Sequence, residues 1–240
     1  MAGWNLWHGC RKVSEGCRRC YVYRQDARWE QDASQVRRTA AFDLPVRRDR
    51  TGRYKIPPGQ TVYTCFTSDF FIEEADAWRG EAWAMIRERS DCTFLMITKR
   101  IDRVAACLPA DWGEGWPHVV LCCTCETQER ADYRPIYLSL PLCRREVICE
   151  PLLERLDLSR YLAEGRIDSV SCGGESGDDA RVCDFDWVLD LRRQCVDAGV
   201  AFRFRQTGAR LRKEGRIYRI RRQFQHSQAR RAGVDFIVEG

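Results

Sequence analysis

The 240-residue sequence predicts a parallel α/β fold, a complete or partial (β/α) barrel of six to seven strands, on three observations. Short apolar runs rich in β-branched residues and cysteine alternate with stretches of helical period, the connections are of crossover length, and a polar residue follows almost every run. Such alternation belongs to parallel sheets with helices packed outside. In barrels and open α/β sheets alike, sites form at the C-terminal ends of the strands. The polar residues after the runs are therefore the first site candidates.

The strands expected in order are one around Trp4 to His8, then 61–68, 92–98, 118–125, 145–149, 167–172 and 200–205. Helices are expected over 73–89, 100–107, 127–138, 152–163 and 185–198. Thr127 and Asp184 stand where N-caps belong, and Gly165 and Gly199 sit just past helix ends, where a left-handed residue is wanted. Residues 40–60 break the rhythm and read as a β-hairpin insertion turned at Thr51-Gly52 and closed by Pro57-Pro58-Gly59, or alternatively as a mobile lid. The whole is read as a single domain over 1–240, with a cysteine loop in 1–21 and a basic segment in 203–240.

Composition narrows the class. A 44% hydrophobic and 11% aromatic chain buries enough surface to exclude disorder. The apolar stretch from Val119 to Cys123 falls far short of the roughly 20 residues that cross a bilayer. With no basic region leading into an apolar one at Trp4 to His8, no secretory signal is read, and a cytoplasmic location without membrane contact is expected. The formal net charge is +5, and all but four of the 40 basic residues are arginine. From Arg203 to Arg231 they cluster, which suits phosphates or nucleic acid; a solvated surface is the bland alternative.

In a reducing compartment the 14 cysteines do not form a disulfide framework. The most specific feature is Cys10-x6-Cys17-x2-Cys20, with Gly9 and Gly16 to permit turns. Flanking Arg11, Lys12, Arg18 and Arg19 would favour thiolates. Three readings follow from the residues: a [4Fe-4S] cluster with one iron left open, a structural zinc centre completed by His8, or ordinary buried cysteines. The Arg-rich surroundings speak against the last.

The opening Trp4-Asn5-x-Trp7-His8-Gly9-Cys10-x6-Cys17-x2-Cys20-Tyr21 resembles an uncharacterised phage and bacterial three-cysteine family, the phage Gp37/Gp68-like domain of unknown function. The likeness continues through Thr98-Lys99-Arg100, Glu126 to Arg134, Glu150-Pro151-Leu152-Leu153 and Gly173-Gly174-Glu175-Ser176-Gly177. It reaches Arg205-Gln206-Thr207-Gly208, where that family more usually shows Lys-Gln-Trp-Gly. The family in turn resembles radical SAM enzymes, which are partial (β/α) barrels with a three-cysteine cluster loop after the first strand. By that resemblance Cys10, Cys17 and Cys20 ligate a [4Fe-4S] cluster that binds S-adenosylmethionine. An electron donor then drives cleavage to a 5′-deoxyadenosyl radical. Gly173, Gly174, Glu175 and Ser176 become the cofactor-binding candidates. The chain departs from the radical SAM pattern in its x6 spacing, in Arg19 where an aromatic is usual, and in a Gly-Gly-Glu that comes four strands later.

The remaining tips yield further candidates. Lys99 and Arg100 could bind a carboxylate or phosphate, or form a charge network with Glu126 and Glu150. These four are the catalytic candidates, with Glu150 and Glu175 also able to serve as base or amine ligand, while a tight turn is the alternative for Gly-Gly-Glu. Arg205 and Gln206 are the substrate or phosphate candidates. Cys65, Cys123, Cys125, Cys149 and Cys172 are read as small strand hydrophobes, with a second metal site as the alternative. The leading expectation is a radical SAM-type enzyme acting on an unidentified substrate, nucleic acid or nucleotide among the choices. The runner-up is a nucleic-acid-binding protein stabilised by zinc or an iron–sulfur cluster, without radical chemistry. A hydrolase ranks below both, since His8, His118 and His226 form no paired metal motif.

Overall fold

The computed structural model describes residues 2–238, the side chains of 134–136 excepted. Its contacts divide into two compact units, Met1–Val13 with Val22–Cys122 and Leu140–Arg144, and Ser14–Tyr21 with Cys123–Ser139 and Arg145–Gly240.

The first unit holds strands β1 (Ala2–Trp4), β2 (Trp7–His8), β3 (Arg37–Arg38), β4 (Thr61–Thr64) and β5 (Thr93–Thr98), and the start of β6 (Val119–Thr124). Helix α1 (Tyr21–Ala27) lies largely within it, with α2 (Asp76–Glu88) and α3 (Ile101–Cys107). β1 runs parallel to β4, and β4 to β5, in the registers Trp4↔Thr64 and Thr64↔Met96. The first strand differs from expectation. It ends at Trp4, and Trp7–His8 turns away to pair antiparallel with Arg37–Arg38. The Asn5 side chain caps the turn by accepting from the Thr67 amide at 3.1 Å. Trp7, Phe70, Trp83, Trp112 and Trp116 form a chain of ring contacts that fills the core.

Residues 40–60 form a turn with a single antiparallel bridge, Arg48↔Tyr54, and Gly52 left-handed at φ 81°. The fully buried Arg89 pins this excursion to the end of α2. Its guanidinium donates to the carbonyls of Pro45 and Ile56 and to Asp91.

The second unit holds β7 (Arg145–Cys149), β8 (Ser169–Gly173), β9 (Cys183–Asp184), β10 (Ala201–Gln206), β11 (Arg210–Lys213) and β12 (Arg216–Arg219). Its helices are α4 (Gln128–Tyr133), α5 (Ser159–Ala163), α6 (Phe185–Asp197) and α7 (Arg222–Arg231). β8 runs parallel to both β7 and β10. α6 buries Phe185, Val188, Leu191 and Cys195, one stripe at helical spacing. The Asp184 carboxylate caps it on the Asp186 amide, and Gly199 ends it at φ 67°. Thr127 likewise accepts from the Arg130 amide at the start of α4.

The helix expected over 152–163 is present only from Ser159. The Leu152 amide bonds instead to the Gly173 carbonyl at 2.8 Å and the Leu153 amide to the Glu126 carbonyl at 3.1 Å. The Glu150–Pro151 peptide is cis.

Seven strands share one parallel sheet in the order β1-β4-β5-β6-β7-β8-β10, the α/β fold expected. No pairing between β1 and β10 occurs among the described residues. No helix among the described residues is long and apolar enough to cross a membrane.

Candidate functional site

In the first unit the tip residues of β4 and β5 are organised by Asp69, which is buried. Its carboxylate accepts from the Thr98 hydroxyl at 2.9 Å and from the amides of Phe71 and Lys99, both at 3.0 Å. Arg100 lies 3.6 Å from the same carboxylate. The guanidinium of this buried arginine reaches the cysteine loop, donating to the Arg11 carbonyl at 2.9 Å and to Cys10 Sγ at 3.7 Å. Asp69 and Cys10 together raise the Arg100 pKa against the lowering effect of burial. A fixed cation beside a thiol favours its thiolate. Arg100 is thus a cation that faces Cys10, whereas Arg11, beside the cysteine in sequence, pairs with Glu74.

Gly9 is required where it stands. Its φ is 95°, and a Cβ there would lie 2.2 Å from the Gln35 carbonyl oxygen. His8 places Nε2 at 2.7 Å from the buried Asp26 carboxylate, which leaves Nδ1 as the ring nitrogen available to a metal.

In the second unit Ser14 begins a 3-10 turn over Glu15–Cys17. The Ser14 hydroxyl stands 3.7 Å from Cys17 Sγ and donates to the fully buried Glu126 carboxylate. Gly16 packs so close that a Cβ would meet Glu126 Oε1 at 2.7 Å. One turn on, the Cys20 amide bonds to the Cys17 carbonyl at 3.2 Å. Glu126, expected as a catalytic candidate, holds the cysteine turn.

Glu175 has a comparable part. Arg181 gives it the backbone amide at 2.9 Å, Nε at 3.0 Å and Nη2 at 2.5 Å, and extends Nη1 to the Glu15 carboxylate at 2.8 Å. The hydrogen bond to Glu175 is the main cause of a raised Arg181 pKa. Arg19 also stands 3.9 Å from Glu175. Asp69 is one of the polar residues expected after the strands, whereas Arg181, Ser14 and Glu15 were not among the residues expected from the sequence. No short-range motif marks them, because the contacts that join them, Ser14 to Glu126 and Glu15 to Arg181, link residues far apart in the chain.

Glu150, Gly173, Gly174, Arg205 and Gln206 do come together. Gln206 Nε2 donates to Glu150 Oε1 and, at 3.0 Å, to the Gly174 carbonyl, while Arg205 stands 3.9 Å from Glu150. Gly174 passes against a second glycine: a Cβ on it would lie 2.4 Å from the Thr207 carbonyl oxygen and 2.9 Å from Gly208 Cα. Two backbones therefore touch at Gly174 and Gly208. Ser176 follows Glu175 in the loop toward β9.

The cysteines separate by environment. Cys10, Cys17 and Cys20 are half-buried. Cys65, Cys123, Cys125, Cys149 and Cys172 are buried, as core hydrophobes are. Burial pushes the Cys65, Cys149 and Cys172 thiols well up, and those of Cys183 and Cys195 up to about 12. Thiols so raised stay protonated and make poor metal ligands. Among the described residues no three His, Cys, Asp or Glu side chains are grouped to hold a metal ion.

A family model described as a protein of unknown function, DUF5131, matches residues 1–235. No curated protein and no solved structure matches the chain.

Proposed function

This chain belongs to the DUF5131 family, and from that footing we propose that it is an iron–sulfur enzyme of radical SAM type whose substrate is a nucleic acid or nucleotide. Cys10, Cys17 and Cys20 would hold a [4Fe-4S] cluster. The observation that carries the reading is the division of the thiols: three of the four half-buried cysteines stand in one glycine-bracketed loop, while nine others are buried.

When bound and reduced by an electron donor, the cluster supplies one electron to cleave S-adenosylmethionine into a radical that takes hydrogen from substrate. The chain's own residues prepare that loop. Arg100 stabilises negative charge at Cys10, and Gly9 lets the backbone turn against residue 35. Glu126, through Ser14, and Arg181, through Glu15, fix the turn that carries Cys17. Glu175 is bound by Arg181, whereas Glu150 and Arg205 keep an exposed edge beside Gly173 and Gly174. This pair is the better candidate to meet a substrate amine or phosphate. The test is anaerobic reconstitution with iron and sulfide, reduction by dithionite, addition of S-adenosylmethionine and assay for 5′-deoxyadenosine. Its formation is expected.

A second reading, a metal-stabilised nucleic-acid-binding protein without radical chemistry, is favoured by the exposed arginines of β11, β12 and α7. A brown protein that makes no 5′-deoxyadenosine would support it. Zinc at unit stoichiometry in anaerobically purified protein would remove the cluster from both readings.

A further inference from the structure

We propose that the β11–β12 hairpin and the start of α7 form a binding face for single-stranded nucleic acid. The inference rests on the nucleic-acid substrate of the reading above and assigns the residues that grip it. β11 and β12 are joined by the two-residue turn Glu214-Gly215, both left-handed at φ 51° and 73°. Across the hairpin the register sets Arg210 opposite Arg219 and Lys213 opposite Arg216.

Like charges directly opposite each other destabilise a strand pair, and here both such pairs are cationic. A charged edge strand guards against self-association, but opposite signs across the pair would do that without repulsion. The repulsion is relieved when a polyanion lies along the ribbon.

On β11, Arg210 donates to the Asp178 carbonyl at 3.0 Å, Arg212 to Asp184 at 3.1 Å, and Lys213 stands 3.9 Å from Glu214, whereas the arginines of β12 and the start of α7 are not so engaged. Arg216, Arg219, Arg221 and Arg222 are exposed, and their side chains have no ion-pair or hydrogen-bond partner among the described residues. Large apolar side chains stand exposed beside them: Tyr218 at 45% on the ribbon face of Arg216, Ile217 at 54% on the face of Arg219, and Phe224 at 46% on α7. Aromatic rings interleaved with arginine suit unstacked bases, whose faces stack on the rings while the cations follow the phosphates. A duplex offers the phosphates but keeps its bases stacked, so the single strand is the ligand this chemistry favours.

The test is the full chain titrated with fluorescein-labelled dT and U 20-mers, single-stranded and as dA and A duplexes, from low to moderate salt. Wild type is expected to prefer the single strands, with the tighter of the two identifying the sugar. The triple variant R216S/R219S/R222S is expected to flatten the log–log salt slope by about 2, from roughly 0.7 per lost phosphate contact. Y218A is expected to weaken binding about 10-fold with the slope kept. The triple lysine variant at the same three positions keeps the slope, which separates charge from folding. R50S/R53S, altered in the 40–60 excursion, behaves as wild type. Binding indifferent to salt, an unchanged slope in the triple serine variant, or a preference for duplex would each overturn the proposal. Iron content, measured on the same samples, reports separately on the cluster.

Discussion

Arg181 binds Glu175 with its backbone amide, Nε and Nη2, and the same guanidinium reaches Glu15, two residues before Cys17. Glu175 is buried while Arg181 is partly open to solvent. One side chain thereby ties the segment after β8 to the cysteine turn.

Replacing Arg181 by Met strips a buried carboxylate of three donors and its nearer counter-charge, leaving Arg19 at 3.9 Å, which costs about 3 kcal/mol. Urea unfolding of R181M should show that loss. Reconstituted R181M is also expected to retain less iron per chain than wild type, with R181K between them. Equal iron retention in all three would separate Arg181 from the cysteine turn.

Arg89 makes a prediction for the first unit alone. Its removal strands the Pro45 and Ile56 carbonyls that it serves, so R89M should lose about 3 kcal/mol in urea unfolding. Limited proteolysis should find new cuts within residues 40–60. Wild-type resistance there would contradict the pinning.

The touching backbones at Gly174 and Gly208 admit no side chain on either. G174A should be destabilised by about 2 kcal/mol or more, since the clash is with backbone. G208A should lose a similar amount, having also φ 75°. Thermal unfolding of the two variants checks this. G80A, at an open helical position, should not be destabilised.

The hydrogen bond from Arg155 holds the Asp190 carboxyl below the ordinary carboxylate range. A carboxyl whose folded pKa is depressed contributes stability above its unfolded value, and loses it as pH falls through the folded value. The stability difference between wild type and D190N should therefore be constant near neutrality and shrink below about pH 4. Urea midpoints from pH 7 to 3 measure it. A difference that grows on acidification would reverse the sign.

The fold was legible where apolar runs were short and bounded by polar residues. The strand at 145–149 matches throughout, and the α6 stripe is present from Phe185. Two elements were misread for local reasons. Trp4 to His8 looks like one strand, but Asn5 turns the chain, and Leu152 to Ala163 looks like one helix, but its first amides bond to strand tips. In the site, the roles of the carboxylates could not be read from spacing. Glu126 and Glu175 are polar residues after strands in either case, and only their partners, Ser14 and Arg181, reveal that they position the loop.

The central claim is that Cys10, Cys17 and Cys20 hold an iron–sulfur cluster while the strand cysteines pack as hydrophobes. Anaerobic reconstitution of wild type, C10A, C17A, C20A and C172A, followed by iron and sulfide analysis and electron paramagnetic resonance of the reduced samples, tests it directly. The account predicts about four irons and a reduced-cluster signal in wild type and C172A, and loss of both in each loop variant. Iron bound equally by the loop variants, or no iron bound by wild type, would contradict it.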